Sequence, residues 1–280
     1  MKKSKTVYAD LHTHSTASDG MLTPEQLVEK ACSIGLGVIG ITDHDSMTGG
    51  GWNAAGRSCA CRRALSFHAA VPIPACAGAA VNPESPALPS CSTPKKSRYT
   101  RAHRILDLLG QQGFDMAELA QSFADSPDKV LGRPHLARYL ESKGYVKDFQ
   151  EAFDKYLLRG RPAYVPKDHV EPEKGIEIIH AAGGIAVLAH PGLIPDWDRV
   201  WSKIQNMPWD GIETYYSEHS NSDVRRFRAV VESRNWVSTG GSDYHGDYGK
   251  HVDRLGQAGL SQEQFGELLE KCAARGVSFF

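Results

Sequence analysis

Between Ser46 and Leu106 the chain has one acidic residue, Glu84, where its average of 33 Asp and Glu in 280 residues would give about seven. It also lacks any excess of positive charge. The 32 Lys and Arg leave a formal charge of -1, which excludes the broad basic field that grips long nucleic acid, so no DNA-binding surface is expected. No apolar run approaches the ~20 residues of a membrane span. The lysines of MKKSKTVYADLH precede no apolar stretch, so no secretory signal is expected and the cytoplasm is the default. Six cysteines include no CxxC pair, and disulfides are not expected in that compartment. What remains open is a short phosphorylated substrate, or an RNA end, held by a local patch.

The acid-poor region is as unusual in what it contains. Residues 57–96 hold four of the six cysteines and six of the fifteen prolines, and no helical or strand period lasts more than a few residues. A structureless loop of this length is uncommon inside a compact domain. Three readings stand: a linker, a metal knuckle, or sequence read in the wrong frame. Linkers are richer in Glu, Lys and Ser. Cys59, Cys61, Cys76 and Cys91 lack the paired spacing of a zinc knuckle. A GC-rich gene read out of phase gives Arg, Ala, Pro and Cys without acids.

The rest of the chain is regular. VYADLH reads as a strand with Val7, Ala9 and Leu11 on one face. LTPEQLVEKACSIGL reads as a helix, with Thr23 as N-cap, Pro24 at the first position, Gln26 closing a capping box, and Leu27, Ala31 and Ile34 on one stripe. GVIGI is a buried strand, and strand–helix–strand implies a parallel pair. EKGIEIIHAAGG is a helix followed by the strand IAVLA, and SQEQFGELLEKCAARG is a capped amphipathic helix. Two further apolar runs, in WDGIETYYS and NWVSTGGSDYH, end in polar residues. Alternating strands and helices argue an α/β fold with a mainly parallel sheet. Residues 98–160 carry helical spacing without strands and read as a helical insertion.

Imidazoles and carboxylates recur at the ends of the apolar runs: His12 and His14 between Asp10 and Asp19; Asp43 and His44; His190; Asp243 and His245. Residues i and i+2 of a strand face one side, so His12 and His14 converge. In parallel α/β folds the C-terminal strand ends share one rim, where active sites assemble. Imidazole with carboxylate suits zinc, manganese or iron. Five histidines exceed the needs of one ion and point to a two- or three-metal centre. Asp10 would either hydrogen-bond a histidine ligand or cap its strand. Glu213 would support the site or pair with a basic neighbour, and His219 would reach substrate. His103, His169 and His180 read as ordinary helix or loop residues, and Lys167 and Asp168 as surface.

DLHTHSTASDG, GITDHDS, AVLAHPG, GIETYYSEHS and GSDYHG together resemble the polymerase-and-histidinol-phosphatase (PHP) family, over residues 6–57 and about 97–275. The likeness is greatest to its bacterial branch acting on nucleotides and RNA 5′ ends, which LGRPHLARYL and GRPAYVP also resemble. The resemblance implies a distorted, TIM-like seven-stranded β/α barrel at 1–97 and 161–280, with 98–160 inserted. It implies His12, His14, Asp19, His44, His190, Asp243 and His245 as ligands of two or three divalent ions, manganese favoured and zinc or iron possible. Arg133 and His135 resemble a phosphate-gripping pair, and His12, Asp243 and His245 would serve the chemistry. The implied activity is phosphate ester hydrolysis on nucleotides, removal of the 3′-phosphate from nucleoside 3′,5′-bisphosphates or 5′-to-3′ trimming of short RNA.

One departure stands against the match. After TDHD the family has a strand ending in glycine-valine-glutamate, whose carboxylate bridges two metals, and then a strand bearing a histidine ligand. Both belong in the abnormal stretch, and neither is expected to form there. Glu84, in NPESPAL, resembles a later loop, and His68 follows no strand pattern. An active enzyme with a misread segment and a catalytically impaired remnant therefore both stand, with a histidinol-phosphatase-like phosphomonoesterase as a third reading.

Overall fold

The computed structural model describes residues 7–44, 63–66, 76–79, 92–125, 131–166, 171–247 and 254–277. The first strand, β1 (Ala9–Thr13), pairs in parallel with β2 (Val38–Ile41). Helix α1 (Pro24–Ser33) crosses between them, and its start follows the expected chemistry. Thr23 accepts the Gln26 amide, the Gln26 side chain returns to the Thr23 amide, and Pro24 sits where no helical donor is needed. Leu27, Val28 and Ala31 are its buried face; Ile34 caps the C-terminus and is 49% exposed, so the expected stripe ends one turn early.

The stretch expected to lack strands contains two. β3 (Arg63–Ser66) extends the first sheet in parallel beside β2, and β4 (Cys76–Ala79) pairs antiparallel with β5 (Ile185–Leu188). Neither segment has a sequence period of its own, and each takes its strand geometry from an established neighbour. Neither contains a glutamate or histidine. His68 comes two residues after β3, so a strand does precede it, but His68 and Glu84 themselves lie outside the described residues. Lys167, Asp168 and His169 also lie outside them. Cys32 is disulfide-bonded, contrary to the expectation of no such bonds, while Cys272 is a buried free thiol.

The second sheet continues in parallel through β6 (Gly211–Tyr216) and β7 (Val237–Gly241). The two sheets meet where β7 runs beside β1. The Asp243 amide donates to the His12 carbonyl at 2.8 Å, and the His14 amide to the Tyr244 carbonyl at 2.8 Å. Gly241 permits this approach, since a Cβ there would overlap the His12 backbone. Gly241→Ala is therefore expected to cost roughly 1–3 kcal/mol, the usual range for overpacking, and to lower metal uptake with it. Denaturant titration and elemental analysis check both. Among the described residues no hydrogen bonds join β3 to β4.

Four hydrophobic clusters support this frame. Ala9, Leu11, Val187 and Val237 meet Phe265 and Leu268 of α9 (Gln262–Ala273), whose Ser261–Gln264 capping box also forms as expected. Val7 packs instead with α1, Ile39 and Tyr244. Helices α6 (Pro172–Ala181), α7 (Trp197–Ile204) and α8 (Asn221–Arg234) cover the second sheet through Ile176, Trp209, Ile212 and Phe227. The fourth cluster is wholly helical. It joins α2 (Ser92–Gln111), which starts before the expected 98, to α3 (Ala117–Ala124), α4 (Arg133–Ser142), α5 (Phe149–Ala152) and the π-helical turn Phe153–Leu157. No helix among the described residues is long and apolar enough to cross a membrane.

Candidate metal centre

The β1–β7 junction gathers the predicted ligands on one rim. The His12 and His14 rings lie 5.3 Å apart, His14 lies 4.1 Å from His245 and 4.5 Å from His44, and His12 lies 5.7 Å from His190. Among the described residues two sets of donor atoms are close enough to hold an ion: His14, Asp19, His44 and His245; and His12, His14 and Asp243. Six of the seven expected ligands fall into these sets, and His190 stands beside His12. His14 belongs to both and is 1% exposed; its Nε2 lies 3.1 Å from Asp243 Oδ1 without hydrogen-bond alignment, and neither ring nitrogen makes an aligned hydrogen bond. Buried polar atoms are ordinarily satisfied, so an unsatisfied imidazole among carboxylates fits a divalent cation.

Asp10 takes the second of its two expected roles, tying backbone at the strand end, and Asp43 works on a neighbouring loop. Asp10 touches no imidazole; it accepts backbone amides from Ser242 and Gly256 at 2.9 Å and from His12 at 3.3 Å, tying β1 to the end of β7. Asp43 accepts the Ser15 amide at 2.7 Å and the Ser15 and Ser18 hydroxyls at 2.6 Å. It therefore shapes the loop that delivers Asp19. Both roles face backbone or loop groups, which an Asp next to a histidine motif does not reveal in sequence.

Glu213 does support the site. His12 Nδ1 donates to its Oε1 at 2.9 Å, and the His190 amide donates to its Oε2 at 2.6 Å. Tyr216 was not singled out in the sequence, yet its hydroxyl donates to Asp243 Oδ2 at 3.1 Å. Two chemically competent residues at the polar end of GIETYY were the available signal. His219 spends both ring nitrogens on backbone: Nδ1 donates to the Thr214 carbonyl at 3.0 Å and Nε2 accepts the Gly192 amide at 3.1 Å. These bonds hold the turn after His190. His103 bonds the Tyr99 carbonyl and His180 bonds Asp210, both as ordinary residues.

The helical cluster meets this rim through α4. Arg138 donates to the Asp19 carbonyl at 3.1 Å, and a Cβ placed on Gly132 would lie 3.9 Å from Asp19 Cβ. Arg133, at the first turn, donates to the Leu157 carbonyl at 3.2 Å, and His135 Nδ1 accepts the Gly132 amide at 3.1 Å.

The charges are strongly coupled. Burial pushes the His12 imidazolium toward neutrality, but Glu213 and then Asp243 outweigh it and raise His12 to about 10. Burial is likewise outweighed at His245, which Asp19 and Asp243 raise to about 9. Burial opposes ionisation of Asp19 and Asp243 too, yet the surrounding histidines hold both well below the carboxylate range. The signs predict how metal-free protein responds to pH. The two raised histidines stabilise the fold fully below their ordinary 6.5, and this is lost as pH rises through 9 to 10. The depressed aspartates stabilise it above about pH 4 and lose this as pH falls. Chelated protein should therefore melt at a lower temperature at pH 10 than at pH 6. Added Mn2+ should narrow the difference by replacing protons as counter-charge, as melting curves with and without chelator will show.

The PHP domain family matches residues 10–116. A curated relative, the 3′,5′-nucleoside bisphosphate phosphatase of Chromobacterium violaceum, is 33% identical over 265 residues, covering 87% of this chain and 90% of the relative. The chain belongs to the PHP family. A second PHP relative, the 5′-3′ exoribonuclease Rnm of Escherichia coli, is 31% identical over 261 residues, covering 86% of this chain and 87% of its own. A solved structure, a metal-dependent phosphoesterase from Bifidobacterium adolescentis, superposes with a TM-score of 0.79 at 24% identity, covering 94% of this chain and 96% of that one. At that identity it establishes a shared fold.

Proposed function

We propose that this PHP-family hydrolase of phosphoric ester bonds acts on nucleotides, removing the 3′-phosphate of nucleoside 3′,5′-bisphosphates and trimming short RNA from its 5′ end. The observation that carries the reading is the seating of the first turn of α4 against the loop of Asp19, which supports a role for that turn in binding phosphate beside the proposed ions. The names of the two curated relatives support the same substrate class. The wider architecture proposed with it is a distorted seven-stranded barrel with the helical cluster inserted and a cytoplasmic location.

His12, His14, Asp19, His44, His190, Asp243 and His245 would hold the ions. Bound divalent cations, manganese first among them, would supply charge neutralisation at the phosphoryl oxygens and acidify water for attack. The protein's own part is positioning and proton transfer. Arg133 can swing from the Leu157 carbonyl to clasp two phosphate oxygens, a fork geometry suited to that anion. His135 caps the same turn by accepting the Gly132 amide and would join Arg133 on the phosphate. Proton transfer to the leaving oxygen falls to the His12, Asp243 and His245 group.

The test is phosphate release by manganese-loaded protein from adenosine 3′,5′-bisphosphate and from histidinol phosphate, together with mononucleotide release from 5′-phosphorylated short RNA. A preference for the nucleotide substrates of at least tenfold is expected. Preference for histidinol phosphate would overturn the substrate assignment. The sequences of β3 and β4, without glutamate or histidine, favour a second reading in which metal binds without turnover, and metal-replete protein inert on all three substrates would establish it.

A further inference from the structure

We propose that β6 is a positioning strand, in which one extra residue turns Glu213 and Tyr216 onto the same face so that together they fix His12, His190 and Asp243. This rests on the metal centre proposed above and goes beyond it by assigning work to residues that are not themselves ligands. Side chains three apart on a regular strand point to opposite faces. Here Glu213 is opposite Thr239 and Tyr215 opposite Gly240, so Thr214 is an extra residue in the ladder. Such a bulge re-aims the side chains beyond it and is common beside active sites. Tyr215 turns to the cluster of Phe265 and Leu268, and Tyr216 turns to the rim.

Each contact on this face selects one arrangement. Glu213 takes the Nδ1 proton of His12, leaving Nε2 to face Asp243 Oδ1 at 3.3 Å. Its other oxygen holds the His190 amide, where the backbone has a φ of 29° that few side-chain-bearing residues adopt. Tyr216 occupies Asp243 Oδ2, so that Oδ1 faces His12 and His14; Asp243 too sits at a positive φ, 54°. Residues held in such backbone conformations need surroundings that over-determine them. The bulge is itself clamped, because His219 binds the Thr214 carbonyl with one nitrogen and the Gly192 amide with the other. A carboxylate that takes the second nitrogen of a ligating histidine sets its tautomer and orientation.

The variants Glu213→Gln and Tyr216→Phe keep the shape of each side chain. Mn2+ affinity, read by competition with a chelator, is expected to fall about 10- to 100-fold in each, the range for partners of ligating groups. Nitrogen-15 spectra of the zinc-loaded protein should show His12 protonated at Nδ1 alone, Glu213→Gln should lose that form, and Glu213→Asp should recover part of both signals. Wild-type Mn2+ affinity in both folded variants, with the His12 spectrum unchanged, would overturn the proposal, as would a fall in melting temperature with no loss of affinity. None of these readouts uses a nucleotide, so failure of the proposed substrate would be seen separately.

Discussion

Replacing His14 by alanine is expected to lower phosphate release by about 10³-fold or more, since metal-borne charge stabilisation is worth several kcal/mol and each tenfold is about 1.4 kcal/mol. The metal content of the purified protein should fall with it. The argument comes from position. His14 is buried at 1% exposure, stacks 4.1 Å from His245, and contributes to both donor sets. Its one close polar contact, Nε2 to Asp243 Oδ1 at 3.1 Å, is not aligned as a hydrogen bond, and Asp243 keeps His12 and Tyr216 as partners, so the protein should remain folded while its metal chemistry fails. Elemental analysis alongside turnover distinguishes the two effects. His103→Ala, far along α2 on an exposed face, serves as a control and should match wild type in both. Full metal occupancy in His14→Ala would remove it from the ligand set.

The second large effect is on stability. Leu140 is fully buried in the helical cluster with Leu136, Leu109 and Leu157. Leu140→Ala should cost about 2–5 kcal/mol through lost transfer energy and the cavity left behind. No member of either donor set belongs to that cluster. Below its melting temperature the variant should therefore hold as much metal as the parent, with its denaturation midpoint shifted down. Loss of metal from the still-folded variant would mean that the helices shape the donor groups directly, beyond the Arg138–Asp19 contact.

The sequence exposed the candidate ligands because most sit just past a short apolar run, where a parallel sheet delivers its strand ends to one rim. Capping was equally legible at Thr23 and Ser261, since the motif is local. What stayed hidden depends on partners distant in the chain. RALS and CAGA become strands because β2 and β5 offer them edges, and four residues are too few to show a period. The antiparallel sense of β4 has no local signature either. The choice between the two roles of Asp10, and the loop role of Asp43, could not be made locally, because their partners, the amides of Ser242 and Gly256 and the loop at Ser15, are set by the fold. Tyr216 was masked by strict alternation, which the extra residue at Thr214 breaks.

The placement of His14 in both donor sets has a consequence for how the centre fills. A neutral imidazole has a single lone pair to give, so one ring cannot complete two neutral-ligand shells at once. If His14 serves Asp19, His44 and His245, the other position keeps only His12 and Asp243 from its set. If it serves those two, the first is left with three donors. The first arrangement sets four donors against two and the second balances them at three each, so the side that His14 takes would decide whether ions enter in unequal steps or as an even pair.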